Sequence, residues 1–277
     1  MSGVRSSTAS MERTAIAVNG AAGRMGRTIA ALAGERADLA VVGGIDRTGL
    51  SDAEAHAAGY PRIVPTADAD AVLRAADVVL DFSSPAGLAA LLELREAPLA
   101  GKALVIGTTG LGEAELTGVA AAEQHMAVIM AANFSVGVNL LLRLAEEAAR
   151  ALPDDRYDVE IVETHHRRKA DAPSGTALAL GRAVAAGRGT ALDALRRDGR
   201  TGQTGERTAG EIAFHSLRGG DVVGEHHVLF IGARERIELG HAAGDRSLFA
   251  EGALRAARWI AGKQPGRYDM AQVLGLR

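Results

Sequence analysis

Between Glu163 and Thr176 the chain reads Glu-Thr-His-His-Arg-Arg-Lys-Ala-Asp-Ala-Pro-Ser-Gly-Thr. Two imidazoles, three cations and two carboxylates share this stretch with a Pro-Ser-Gly-Thr run suited to starting a helix. From His165 to Lys169 every side chain is imidazole or cationic, and such neighbours repel one another unless an anion sits among them. The pattern points to a pocket for an anionic substrate with proton donors already in it. The bland alternative is a solvated basic strand end.

A strand and a helix have to hold this stretch in place. Tyr157 to Glu163 alternates like a half-buried strand and delivers the chain to it. Ser174 is placed to cap a helix running from Gly175 to Ala186. Far upstream, the apolar run Thr14 to Asn19 leads directly into Gly20-Ala21-Ala22-Gly23-Arg24-Met25-Gly26, after which Ile29, Ala30, Leu32 and Ala33 recur at helical spacing. A glycine-rich turn between strand and helix lets phosphate oxygens approach backbone N–H groups at a helix N-terminus. The spacing is G-x-x-G-x-x-G, one residue longer at the front than the usual dinucleotide fingerprint, so a merely close-packed turn stays open. Leu39 to Ile45 reads as the next strand and ends at Asp46-Arg47, about 20 residues beyond Gly26. An acid there reaches ribose hydroxyls, and Arg47 could instead hold a 2′-phosphate, so the pair suggests tolerance of both NADH and NADPH. An exposed Asp-Arg turn is the alternative.

The apolar runs Asp77 to Phe82, Ala103 to Ile106 and Ala127 to Met130 are separated by helical segments. That order predicts a parallel sheet with right-handed crossovers, with ligands at the carboxyl ends of the strands. Asp81-Phe82, Gly107 to Thr109 and Asn133-Phe134 fall at those ends. Ser51 to Asp70 reads as a loop or short helix, and Val138 to Leu152 as a helix. Gly187 to Gly210 shows no clean period and reads as a long mobile loop of the functional kind. Glu211 to Leu217 is expected to meet Glu225 to Ile231 across a turn at Gly219-Gly220-Asp221, with Arg234 to Leu239 following, as antiparallel strands with one apolar face. A final helix, Leu248 to Ala261, is expected to return to the first domain. His226 and His227 alternate to opposite faces and read as structural; His56, His125 and His215 stand alone.

The expected fold is α/β. A disordered leader over 1–12 precedes a Rossmann-like parallel-sheet domain of residues 13–136 and 242–277. A second α+β domain of residues 137–241 carries a mixed or antiparallel open sheet whose exposed face is suited to pairing with other subunits. A length of 277 residues fits two domains. A net charge of −3 and 3% aromatic residues leave no footprint for nucleic acid. The chain has no cysteine, which excludes disulfides and thiolate metal sites, and no carboxylate–histidine cluster at ligand spacing suggests a catalytic metal. No apolar run approaches the roughly 18 residues of a membrane span, and the first residues do not read as a signal peptide, so a cytoplasmic location is expected.

The glycine turn, Val105-Ile106-Gly107-Thr108-Thr109-Gly110, Ala131-Ala132-Asn133-Phe134-Ser135-Val136-Gly137-Val138-Asn139 and the His165 stretch together resemble one family. It is the 4-hydroxy-tetrahydrodipicolinate (dihydrodipicolinate) reductases of bacterial lysine and diaminopimelate synthesis, and the resemblance runs from about Thr14 to Leu276. It implies reduction of a cyclic dicarboxylate by NADPH or NADH with loss of water. It implies His165 as catalytic acid/base and Lys169 as a proton donor, with His166, Gly175 and Thr176 binding substrate. It implies a cofactor site lined by Gly20, Ala21, Ala22, Gly23, Arg24, Met25, Asp46, Arg47, Gly107, Thr108, Thr109, Ala131, Ala132, Asn133 and Phe134, with Arg246 and Phe249 approaching it. It also implies a homotetramer assembled through the second sheet. Two other functions remain: a non-catalytic protein sensing NAD(P) and a dicarboxylate, and a hydride-transferring enzyme for another small acid.

Overall fold

The computed structural model describes residues 13–276, so the leader expected over 1–12 lies outside the described residues. The chain divides into two compact units, one running up to Ala131 and resuming over Ala253–Asp269, the other comprising Ala132–Gly252 and the residues from Met270.

The first unit is built on seven parallel strands. In chain order they are β1 (Thr14–Asn19), α1 (Arg24–Gly34), β2 (Leu39–Asp46), α2 (Asp52–Ala57), β3 (Ile63–Pro65), α3 (Asp70–Ala75), β4 (Val78–Asp81), α4 (Pro85–Leu92), β5 (Ala103–Ile106), α5 (Glu113–Ala122) and β6 (Ala127–Met130). The sheet order is β12-β6-β5-β4-β1-β2-β3, where β12 (Gly266–Tyr268) comes from near the end of the chain. Helices cover both faces of such a sheet, so its central strands are largely apolar: every residue of β4 and β5 is buried, Asp81 being the one charged side chain among them. Ala17, Ile45, Val79, Leu104 and Val128 of the strands pack with Leu88, Leu91, Leu92 and Val119 of α4 and α5. Ser51 to Asp70, expected as a loop or short helix, holds α2 and the edge strand β3. That strand has three residues, ends in Pro65 and is too short to show a period of its own.

The second unit runs through α6 (Val136–Ala151), β7 (Asp158–His165), α7 (Gly175–Gly187), β8 (Arg196–Asp198), β9 (Ile212–Arg218), β10 (Glu225–Ile231) and β11 (Arg236–Ala242). Then come α8 (Ser247–Ile260), within which the division between units falls, and α9 (Met270–Val273). Its mixed sheet has the order β11-β10-β7-β9-β8. The burial of β7 alternates residue by residue, so only one face is covered. On that face Val159, Ile161, Phe214, Val228 and Phe230 meet Leu141 and Ala145 of α6 and Leu180 and Val184 of α7. Ser135 caps α6 through the Val138 N–H at 3.1 Å, and Asn139 ties the turn before it to the helix by bonding the Asn133 carbonyl at 3.0 Å. These bonds place 132–136 in the second unit, where the sequence reading assigned them to the first; residues 242–252 and those from Met270 likewise group there.

Two local expectations are corrected. β9 and β10 are not a hairpin, because β7 lies between them, antiparallel to β10 and parallel to β9. The most evenly alternating strand thus takes the centre of the sheet. The stretch 187–210, expected to be a mobile loop, contains edge strand β8 and is tied to the sheet's outer face. Arg200 bonds Glu160 at 3.0 Å and Glu211 at 2.9 Å, while Arg207 bonds Asp158 at 2.6 Å and Glu160 at 3.0 Å. Among the described residues no helix is long and apolar enough to cross a membrane.

Candidate active site

In the first unit the glycine turn follows β1 directly. Gly20 has φ +84°, and a Cβ there would lie 2.5 Å from the Phe82 carbonyl oxygen; on Gly26 it would lie 2.4 Å from the Gly20 oxygen. The turn therefore admits no side chain at either position, leaving its floor as bare backbone. Gly23 is the N-cap of α1 and no side chain caps that helix, so its first N–H groups, from Arg24 and Met25 onward, are available to an external anion. Ala21 is buried beneath the turn. Asp46 ends β2 and accepts the Ala22 N–H at 2.9 Å and the Arg47 N–H at 2.8 Å, while the Arg47 side chain is exposed. The acid expected at the ribose thus also closes the glycine turn. At the end of β5, Gly107 packs so tightly on the Phe82 ring that a Cβ would lie 2.1 Å from it. The Thr108 hydroxyl accepts the Ser83 N–H at 3.0 Å, Thr109 is exposed, and the Ala131 N–H reaches the Ile106 carbonyl at 3.1 Å. Fully buried Asp81 gathers Asn19 at 2.7 Å and Ser83 at 2.6 Å. These residues fit a dinucleotide phosphate cradle: a side-chain-free turn, an uncapped helix start and an acid at the neighbouring strand end.

The second unit carries the groups expected to handle protons. His165 is the last residue of β7, and Glu163, two residues earlier, shares its buried face. The Glu163 carboxylate bonds His165 Nδ1 through one oxygen. Its other oxygen accepts from Arg218 at 2.8 Å and from the Ser174 N–H at 3.3 Å. Burial pushes the Glu163 carboxyl up, but hydrogen bonds from Arg218, Ser216 and His165 outweigh it and leave the group below its ordinary value. His226 of β10 meets His165 edge to face at 5.1 Å between ring centroids and shares a hydrogen bond of 3.1 Å with the Ser174 hydroxyl. Burial, which outweighs the pull of Glu163, holds His165 below the usual imidazole range, with Lys169 and Arg218 adding to the effect. Lys169 lies in the loop after β7 and pairs with Asp171 at 2.8 Å. His166 receives Arg246 at 3.3 Å through Nε2. Ser174 caps α7 by accepting the Ala177 N–H at 3.1 Å, which leaves the N–H groups of Gly175 and Thr176 at the helix start for an outside acceptor. Asn133 donates to the Thr176 hydroxyl at 3.2 Å, joining a residue expected at the cofactor to one expected at the substrate. Ala132 is exposed and Phe134 buried.

His226, read from sequence as structural, belongs to this cluster, while His227 faces the other way and pairs with Glu238 at 3.0 Å. Glu163, His165 and His226 offer ligand atoms within 4.8 Å of one another. The Arg218 guanidinium and the Ser174 hydroxyl already occupy them, and the guanidinium opposes a cation, so the cluster reads as a hydrogen-bonded chain.

Burial lowers His226 to about 4. The unfolded imidazole takes up a proton below about 6.5, which the folded one refuses, so this residue adds stability above that pH and loses it as pH falls toward 4. The full swing is about 3 kcal/mol. His226→Gln is expected to flatten that part of the stability profile, measured by urea denaturation at pH 7 and pH 4.5. Identical slopes in variant and wild type would refute it.

Two family descriptions match in tandem: "Dihydrodipicolinate reductase, N-terminus" over residues 14–134 and "Dihydrodipicolinate reductase, C-terminus" over residues 137–274. The chain belongs to the dihydrodipicolinate reductase family. It is 51% identical over 268 residues to a 4-hydroxy-tetrahydrodipicolinate reductase of Alkalilimnicola ehrlichii, covering 95% of this chain and 99% of that one. A reductase of the same name from Parvibaculum lavamentivorans is 50% identical over 270 residues, covering 94% and 97%. Among solved structures, a dipicolinate-bound dihydrodipicolinate reductase from Paenisporosarcina sp. TG-14 shares the fold. Its TM-score is 0.70 at 22% identity, covering 94% of this chain and 98% of that one. The family match spans both the phosphate cradle and the His165 cluster. The sequence reading of the site passed over Arg218 and His226, which lie 53 and 61 positions beyond His165 and reach the cluster only through the order of the strands.

Proposed function

We propose that this reductase converts 4-hydroxy-tetrahydrodipicolinate to tetrahydrodipicolinate with loss of water, consuming NADPH or NADH. The observation that carries the reading is the His165 stretch. A buried histidine and a lysine stand beside a helix start with free N–H groups, on a chain whose other unit holds a dinucleotide cradle. When bound, the nicotinamide supplies the hydride. In this reading His166 and the N–H groups of Gly175 and Thr176 hold the substrate's carboxylates, since a helix N-terminus favours anions. His165 and Lys169 supply protons to the electron-rich skeleton and to the departing oxygen. Gly20 to Met25 hold the pyrophosphate, with Asp46 toward the ribose and Arg47 toward any 2′-phosphate. Gly107 to Thr109 and Ala131 to Phe134 line the nicotinamide end.

The outer face of the second sheet exposes Leu217 and Ile231, which supports a homotetramer assembled through it. We place the enzyme in the cytoplasm, where its nicotinamide cofactors are supplied. The deciding experiment follows nicotinamide oxidation with the product of the preceding synthase step as substrate. No consumption with either cofactor overturns the reading and favours a protein that senses the same ligands without turnover. Arg47→Ala is expected to weaken NADPH more than NADH, read as separate KM values. Equal losses would remove Arg47 from the 2′-phosphate.

A further inference from the structure

The proton donor does not stand alone. Glu163 is 1% exposed, yet it is ionised and fully engaged: Arg218 and the Ser174 amide on one oxygen, His165 Nδ1 on the other. Arg218 is itself braced by the Asp171 carbonyl at 2.7 Å. A carboxylate fixed in this way is an acceptor, so it takes the Nδ1–H of the neutral ring and directs Nε2 away from itself. On that side Gly224 leaves room, since a Cβ there would lie 3.0 Å from Nε2 and cover it. The groups facing His165 are Glu163 on its own strand, Ser216 and Arg218 from β9, and His226 from β10. Lys169 and Asp171 approach from the following loop and Ser174 from the start of α7. Among these the only anion bonded to the ring is Glu163, while Lys169 and Arg218 oppose its protonation.

We infer that Glu163 is the positioning residue of the proton donor: it grips His165 by Nδ1 and is the fixed negative charge against which the imidazole gains a proton as a dicarboxylate binds. The inference rests on the reading of His165 given above. In the ligand-free protein burial holds the ring neutral, aided by the opposing cations Lys169 and Arg218. Two incoming carboxylates neutralise them, the ring takes a proton from solvent, and Nε2–H becomes the acid. After hydride addition that proton passes from Nε2 to the substrate, and the ring returns to its neutral form with Nδ1–H still on Glu163. His226 stays uncharged beside it and orders Ser174 without competing for the proton.

Calorimetry of dipicolinate binding to the cofactor-loaded enzyme, repeated near neutral pH in buffers of different ionisation enthalpy, counts the protons taken up. The expected result for the unaltered chain is uptake approaching about one proton per site. Glu163→Gln is expected to keep dipicolinate affinity within a few-fold and to abolish most of the uptake. It is also expected to lower kcat at least about tenfold. The pH at which kcat falls on the alkaline side should move downward, because the imidazole has lost its anion. Glu163→Asp should restore part of both. Binding without buffer dependence in the unaltered chain, or a Glu163→Gln enzyme with wild-type kcat and pH profile, overturns the inference. If Glu163→Gln does not fold, the proton count of the unaltered chain and of His165→Gln decides alone. Failure of dipicolinate to bind the unaltered chain would instead strike the functional reading itself.

Discussion

Alanine at Lys169 is expected to lower kcat on the order of 100-fold, the usual worth of a positioned proton donor. The ammonium is partly shielded and lies 2.8 Å from the Asp171 carboxylate, in the loop that also carries His166. Truncation removes a donor without touching β7, α7 or the glycine turn, so folding and nicotinamide affinity should change little. His165→Ala is expected to match it in size. If the two act on one proton inventory, the double variant will lose much less than the product of the single losses. Steady-state kinetics, with NADPH binding followed by its fluorescence, separates these effects. Unchanged turnover in both single variants would remove both residues from the chemistry.

Gly20→Ala is the second large effect, and it acts on the other half of the reaction. A side chain at Gly20 meets two obstacles at once. The backbone is held at φ +84°, which costs an L-residue roughly 1–2 kcal/mol, and the new Cβ would lie 2.5 Å from a carbonyl oxygen that belongs to backbone and cannot swing away. The turn must therefore open, with an overpacking cost of about 1–3 kcal/mol. That movement separates the Gly20 carbonyl from the Gly23 N–H it accepts at 3.1 Å and misaligns the start of α1. The expected outcome is a KM for NADPH raised by about tenfold or more, since about 1.4 kcal/mol corresponds to tenfold. A lower melting temperature should accompany it, with dipicolinate binding by the apoprotein retained. A variant that binds NADPH normally would show that this turn does not hold the pyrophosphate.

What could be read from the chain beforehand follows from how local each signal is. The parallel sheet was legible because β1, β2, β4, β5 and β6 are apolar runs, each followed by a glycine or a capping serine at the end where ligands bind. β3 and β12 were not, since three residues at a sheet edge hold too few positions for any period to show. In the second unit the alternation of β7 was plain, but alternation says which face is buried and nothing about which strand is the neighbour. Chain order suggested a β9–β10 hairpin; the register of β7 between them is a tertiary result. The same limit applies to the site. Glu163 and His165 both stood out by type, but the strand read from alternation ended at Glu163, and their shared face appears only with β7 extended to His165. Arg218 reaches Glu163 from β9 and His226 reaches His165 from β10, and both contacts depend on that unforeseen strand order.

The last strand of the first sheet carries a consequence for synthesis. β12 pairs Gly266, Arg267 and Tyr268 with Ala127, Val128 and Ile129, joining positions about 139 residues apart. Until that tail emerges from the ribosome, β6 is an open parallel edge whose amides and carbonyls have no partner on one side. The second unit's sheet, whose strands lie within 158–242, is by then complete in sequence. The chain thus has to carry an unfinished nucleotide half while its other half is already able to fold. Loss of the residues from Gly266 onward would leave that edge exposed and able to recruit a strand from another chain.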